Sequence, residues 1–158
     1  MKLLRGAAVA AGSSLYAGFF PLAPASFACF LWSLLLLLVP ASRVILHPLA
    51  LAITFVVAIP VAGSMEKTYG KDASCIVIDE LVGFQITLLF VPIGWTTILA
   101  GFLLFRVFDV LKPWPIHGLQ KLSGGKGVVL DDVLAGVYAW AILRLLLLIF
   151  PGLGGIEG

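Results

Sequence analysis

The chain has 158 residues, 61% of them hydrophobic and 11% charged, and a net charge of +2; its mean hydropathy is +1.15. A soluble domain carries roughly a quarter charged residues, so this composition excludes a protein wetted on all sides. The small net charge, with no basic stripe interleaved with aromatics, gives no footing for a nucleic-acid partner.

Residues 6–42, 44–65 and 81–105 contain no Asp, Glu, Lys or Arg, and 133–156 contains only Arg144. Each run reaches the length of about 20 apolar residues that a bilayer-spanning helix needs. They predict an all-α, small multi-pass membrane protein. At this length it is one domain, residues 1–158.

In chain order, residues 1–26 are expected to give an N-terminal helix and a loop. The first 20 are rich in Ala, Gly and Ser, and support a helix of about 15 residues, better suited to a re-entrant or interfacial position than to a span. Lys2 and Arg5 before an apolar stretch resemble a secretory leader, but the proline in Ala23-Pro24-Ala25 is a poor cleavage context; no leader is expected. Pro21 and Pro24 break the helix and leave an irregular loop through Ser26. Such backbone is tolerated at membrane depth only where protein or water satisfies it, so the loop is a candidate to line a site.

Phe27–Val39 is predicted as a helix stopped by Pro40, and Val44–Gly63 returns as a second, with Pro48 and Pro60 as possible bends. Residues 64–72 read as a polar surface segment, with Asp72 capping a helix from Ala73 to Val91. Pro92-Ile93-Gly94 turns the chain into Trp95–Leu111. A loop over 113–130 follows, then a helix from about 132 to 150 and a flexible tail at 151–158. Two helical hairpins and a C-terminal helix result. Cys29 and Cys75, in apolar surroundings without CxxC spacing, read as buried thiols. His47 and His117 lack partners at zinc spacing and read as structural.

Asp and Glu total eight, and six fall in three blocks: Asp72, Asp79 and Glu80; Asp109; Asp131 and Asp132. The predicted topology brings all three blocks to one face with eight of the ten basic residues. By the positive-inside rule that face is cytoplasmic. Ionisable groups at membrane depth are costly and mark function. Asp79 and Glu80 point about 100° apart on a helix, so one can hold a metal while the other orients a neighbour; a solvated pair at a helix start is the plainer reading. Arg106 and Asp109, at i, i+3, either pair with each other or serve a site with Lys112. Gly124-Gly125-Lys126-Gly127 permits an anion nest ahead of Asp131 and Asp132, which are either helix caps or oxygen ligands for a divalent cation such as Mg²⁺. The chain has no Cys-x5-Arg loop, no Asp-x-Asp opening and no Gly-x-Ser-x-Gly elbow. Carboxylates, lysines and one arginine remain, suited to metal-assisted attack of water on a phosphate.

These residues resemble a known family. Lys71-Asp72 followed by Ile76-Val77-x-Asp79-Glu80-x-x-Gly83, then Phe105-Arg106-x-Phe108-Asp109-x-x-Lys112-Pro113-x-Pro115-Ile116, then Gly124-Gly125-x-Gly127-x-x-x-Asp131-Asp132-x-x-Ala135-Gly136, are similar in order and interval to the phosphatidylglycerophosphatase A family. The family's N-terminal block Ala-Pro-Gly-Thr stands here as Ala23-Pro24-Ala25-Ser26, which keeps a hydroxyl and loses the glycine. The resemblance implies a bacterial inner-membrane enzyme of phospholipid biosynthesis. With Mg²⁺ it would remove the terminal phosphate of phosphatidylglycerophosphate at the cytoplasmic face. It further implies catalytic roles for Asp79, Glu80, Asp109 and Asp131, and metal binding by Asp79, Glu80, Asp131 and Asp132. Substrate contacts would come from Lys71, Arg106, Lys112, Lys126 and Ser26. The competing reading, a small ion-coupled transporter, calls for acids spread at mid-membrane and an internal repeat; here the acids gather at one end without a convincing repeat. A scaffold subunit leaves the acidic blocks unexplained.

Overall fold

A computed structural model describes residues 2–154, with side chains from Gly6 onward. The side chains of Lys2 and Arg5, and the tail beyond residue 154, lie outside the described residues. All regular structure described is helical: α1 (Lys2–Gly12), α2 (Pro24–Leu38), α3 (Pro48–Tyr69), α4 (Ile78–Thr87), α5 (Trp95–Leu111), α6 (Ile116–Leu119) and α7 (Gly125–Ile149), with 3₁₀ turns at Ala17–Phe19, Pro40–Leu46 and Pro151–Leu153.

Helices α3 and α7, of 22 and 25 residues, are long and apolar enough to cross a membrane, reaching about 33 and 37 Å at 1.5 Å per residue. Their mid-length side chains Ile53, Val56, Ile142 and Leu145 are exposed, as are Leu99 and Leu103 on α5. A belt of large apolar side chains facing outward suits lipid and not water.

Helices α4 and α7 form the spine. Both contribute to a core with α2 and α5, built on Leu36, Phe84, Phe105 and Leu143. Both also join a second core with α3, built on Ala58, Met65, Val82 and Val129. The expected span from Ala73 to Val91 is instead the ten-residue α4, buried among its neighbours and too short to cross. Gly70 at φ +101° and Asp72 at φ +52° turn the chain out of α3, and an irregular stretch lasts to Val77. Asp72 therefore caps nothing; Val77 stands at the N-cap of α4 without a side-chain cap.

Three further boundaries differ from the sequence-based expectation. α2 starts at Pro24, a residue preorganised for the first helical position, so Ser26 lies in a helical turn and the irregular backbone falls at 13–23. α3 continues through the expected surface segment to Tyr69, with Pro60 inside it. α7 starts at Gly125, nearly two turns before Asp131.

Candidate active site

The site end of the bundle gathers the start of α4, the end of α5 and the first turns of α7. Asp79 and Glu80 occupy the first turn of α4, where the helix dipole favours anions. Val77 N–H donates to the Gly12 carbonyl at 2.8 Å, tying the start of α4 to the end of α1.

Asp131 and Asp132 are not caps, because the glycines before them are helical. A Cβ on Gly125 would lie 2.6 Å from the Gly63 nitrogen of α3 and overlap the Ile59 carbonyl. Glycine there lets α7 press its first turn onto α3, and the two aspartates follow inside the helix, 3% and 4% exposed.

Helices α4 and α7 cross at a second glycine contact. A Cβ on Gly83 would sit 2.6 Å from the Asp132 carbonyl oxygen, and one on Gly136 would overlap the Gly83 carbonyl. Asp79 lies four residues before Gly83, and Asp132 four before Gly136. Residues at i and i+4 share a helix face, so the close crossing places the two carboxylates opposite each other one turn away.

Asp79, Glu80 and Asp132 accordingly offer carboxylate oxygens within 4.8 Å of one another. Asp79 Oδ1 and Glu80 Oε2 are buried with no hydrogen-bond partner among the described residues. Three such groups in an apolar setting repel strongly, and unpaired buried charge is costly. An all-carboxylate set fits a hard divalent cation, which would supply both the missing charge and the missing contacts.

Two cations border the cluster. Arg106 Nη1 lies 2.7 Å from Asp109 Oδ2, yet its N–H is not aligned with that oxygen and finds no hydrogen-bond acceptor among the described residues. It is an ion pair by proximity with a donor to spare. Asp109 is in turn an electrostatic neighbour of Glu80 and Asp132. Lys112, the left-handed cap of α5 at φ +42°, donates from Nζ to Asp131 Oδ2 at 2.5 Å. Burial pulls Lys112 down, but the hydrogen bond and charge of Asp131 outweigh it and hold its pKa above the ordinary lysine value. Asp131 Oδ1 is left buried without a partner among the described residues.

Of the residues expected at the site, Asp79, Glu80, Asp109, Asp131, Asp132, Arg106 and Lys112 converge. Asp131 stands apart from the three-carboxylate group and faces Lys112 instead. Lys71 is exposed, lining an outer recess with Lys67, Lys121 and Gly124, and Lys126 is also exposed. Among the described residues, no hydrogen bond or ion pair joins Lys71, Lys126 or Ser26 to the cluster. Sequence reasoning missed the link from Gly12 to Val77. The run Gly12-Ser13-Ser14, small residues ending an apolar helix, was the available sign of close packing there. Both cysteines are free thiols; Cys29 is buried as expected, whereas Cys75, in the irregular stretch before α4, is only partly so. His47 caps α3 by accepting from Leu49 N–H at 3.2 Å.

Comparison of the sequence with known proteins finds relatives. Residues 10–147 match the family described as phosphatidylglycerophosphatase A. A Bacteroides thetaiotaomicron protein described as "Putative phosphatidylinositol-3-phosphatase" is 38% identical over 140 residues, 84% of this chain and 88% of its own length. The phosphatidylglycerophosphatases A of Escherichia coli and Haemophilus influenzae are 43% and 51% identical over 74 and 70 residues. Those stretches cover 46% and 43% of this chain, and 43% of each relative. No solved structure matches the chain significantly. With the matched region spanning all three acidic blocks, the chain belongs to the phosphatidylglycerophosphatase A family.

Proposed function

We propose that this single-domain protein hydrolyses the terminal phosphomonoester of phosphatidylglycerophosphate, giving phosphatidylglycerol, with Mg²⁺ held by Asp79, Glu80 and Asp132. The observation that carries the reading is the set of three mutually close carboxylates with unpartnered buried oxygens, flanked by Arg106 and Lys112. Bound Mg²⁺ supplies Lewis acidity toward water and phosphoryl oxygen. The spare N–H of Arg106 and the ammonium of Lys112 bind and orient the phosphate, and their charge offsets what develops on its oxygens in the transition state. Asp131 Oδ1, the oxygen that Lys112 leaves free, takes a proton from the attacking water and returns it to the glycerol oxygen that departs as the ester P–O bond breaks. Arg106 keeps Asp109 beside the cluster. Lys71 and Lys126, on the rim, draw the anionic headgroup inward, and Ser26 in the first turn of α2 offers a hydroxyl near the lipid glycerol.

Lys67, Lys71, Arg106, Lys112, Lys121 and Lys126 all lie at the site end, and Arg43 and Arg144 at the other. By the positive-inside rule the site faces the cytoplasm, in a bacterial inner membrane. The same geometry suits other lipid phosphomonoesters. The Bacteroides relative, aligned over most of both chains, makes a phosphoinositide the second reading.

The test is phosphate release by purified protein in detergent from phosphatidylglycerophosphate and from phosphatidylinositol 3-phosphate, each with Mg²⁺ and with excess chelator. Release from the first that needs Mg²⁺ supports the proposal. Release from the phosphoinositide alone replaces the substrate, and release unaffected by chelator removes the metal role. Folded protein with no release from either overturns the reaction class.

A further inference from the structure

We propose that the groove between the 14–17 loop and α2 seats an acyl chain of the lipid phosphomonoester whose phosphate the carboxylate cluster receives. The inference rests on the lipid-phosphatase reading above and names where the lipid part of that substrate lies. The groove has a volume of ≈ 500 Å³, walls that include Leu15, Phe27, Leu31, Trp32 and Leu35, and Ala28 at its floor.

Its direction is set by α2. Phe27, Leu31 and Leu35 recur at four-residue spacing and share one helix face. Cys29, Ser33 and Leu36 on the opposite side are buried in the bundle. Cys29 shares a core with Phe84 of α4 and Phe105 of α5, each one helical turn from a residue of the site, Glu80 and Asp109, so the groove begins within about a turn of the cluster. From Phe27 to Leu35 it follows α2 away from the site end for about 12 Å. A lipid with its phosphate at the cluster directs its tails along that same line.

The groove is held open by strained backbone. Ser14, Leu15 and Tyr16 are consecutive left-handed residues at φ 49°, 55° and 70°, a conformation that L side chains avoid and that persists only where the surroundings enforce it. Here they do. Ser13 Oγ donates to the Val9 carbonyl at 2.7 Å and accepts from Tyr16 N–H at 3.0 Å. Trp32 Nε1 donates to Ser14 Oγ at 2.8 Å. Gly18 packs on the Cys75 carbonyl so closely that a Cβ would overlap it. The loop is thus fastened to α2 on one side and, on the other, to the segment that leads into Asp79. Leu15 stays 83% exposed on the rim, and the polar edge at Ser14 and Trp32 suits the ester region of a glycerolipid.

The test uses the full-length wild-type protein in lipid nanodiscs and a photoactivatable acyl chain. One sample carries it on phosphatidate, a lipid phosphomonoester, and the other on phosphatidylcholine. Labelled residues are mapped by mass spectrometry. The expected result is at least threefold more labelling of Leu15, Leu31 and Leu35 by phosphatidate, with Ile53 and Val56 on α3 labelled equally by both lipids. Labelling in the same pattern by both lipids would mean bulk lipid fills the groove and overturns the proposal. So would protection of the groove accompanied by cross-links to a second copy of the chain. L31W, which fills the groove, is expected to abolish the phosphatidate enrichment at Leu15; retained enrichment overturns the assignment. Labelling needs no turnover. Groove labelling with no phosphate release from any lipid therefore sinks the hydrolase reading and leaves the lipid site standing. Phosphate release without enrichment does the reverse.

Discussion

Gly83 and Gly136 face each other where α4 crosses α7, each one helical turn beyond a carboxylate of the cluster, Asp79 and Asp132. The glycine pair sets the separation of the two carboxylates. A methyl at Gly136 has nowhere to go, because the obstacle is the Gly83 carbonyl and not a flexible side-chain end. G136A is expected to lower stability by about 1–3 kcal/mol, the usual cost of overpacking, and to lose activity beyond what the unfolded fraction explains. Thermal unfolding in detergent, with phosphate release assayed well below the transition, checks both. Full activity at wild-type stability would show that the crossing does not set the site.

The Mg²⁺ site proposed at the three carboxylates predicts a measurable effect of the cation on stability. Without a cation they repel one another, so wild-type protein in chelator is expected to melt early and to gain on adding Mg²⁺. A ligand at a hundred times its Kd stabilises by about 2.7 kcal/mol. D79N and D132N each remove one charge. Both are expected to melt later than wild type in chelator, to respond little to Mg²⁺, and to lose at least a hundredfold in phosphate release, at the low end for positioned acid–base and metal groups. A Mg²⁺ response in D132N as large as in wild type would exclude that residue as a ligand.

Much of this arrangement was legible in the sequence, and the errors have physical causes. The predicted and observed bounds of Trp95–Leu111 coincide, since Gly94 before it and Lys112-Pro113 after it are clear punctuation. The convergence of Asp79, Glu80, Asp109, Asp131 and Asp132 followed from topology. The start of α7 did not, because a run of glycines has poor intrinsic helix propensity and reads as a loop. Its helical state depends on Gly125 pressing against Gly63 of α3, a contact between distant segments. α4 was drawn too long for a similar reason. In a helix apolar all round no periodicity marks the ends, and Gly70 and Asp72 were the visible signs of a turn. The strained stretch at Ser14–Tyr16 left no local sign, since left-handed backbone at Leu15 is imposed by its neighbours.

Arg106 is expected to act through its fork and not only its charge. Its Nη1 is near Asp109 without a hydrogen bond to it, so one side chain can hold the carboxylate and offer N–H groups to phosphate. Lysine supplies a point charge and loses that geometry. R106K is expected to raise KM for the lipid phosphate about tenfold or more, in line with one charge-assisted hydrogen bond, with a smaller change in thermal stability. Unchanged KM would confine Arg106 to a structural role.

Lys112 and Asp131 form the remaining test, because the pair is unequal: Asp131 is 3% exposed and the Lys112 side chain 21%. Removing the lysine strands a buried carboxylate, whereas removing both charges does not. K112M is expected to cost about 3 kcal/mol, the low end for breaking a buried pair, and D131N somewhat less. The double variant K112M/D131N is expected to recover part of the loss, giving a coupling of about 1–3 kcal/mol in a double-mutant cycle. The pH dependence has a definite sign. The folded pKa of Lys112 is raised, so its contribution is complete below the unfolded lysine pKa and is lost only as pH climbs through the higher folded value. Between pH 6 and 9 the cycle is therefore expected to give one constant coupling. A coupling that collapses within that window would mean that Lys112 is not the charged partner of Asp131.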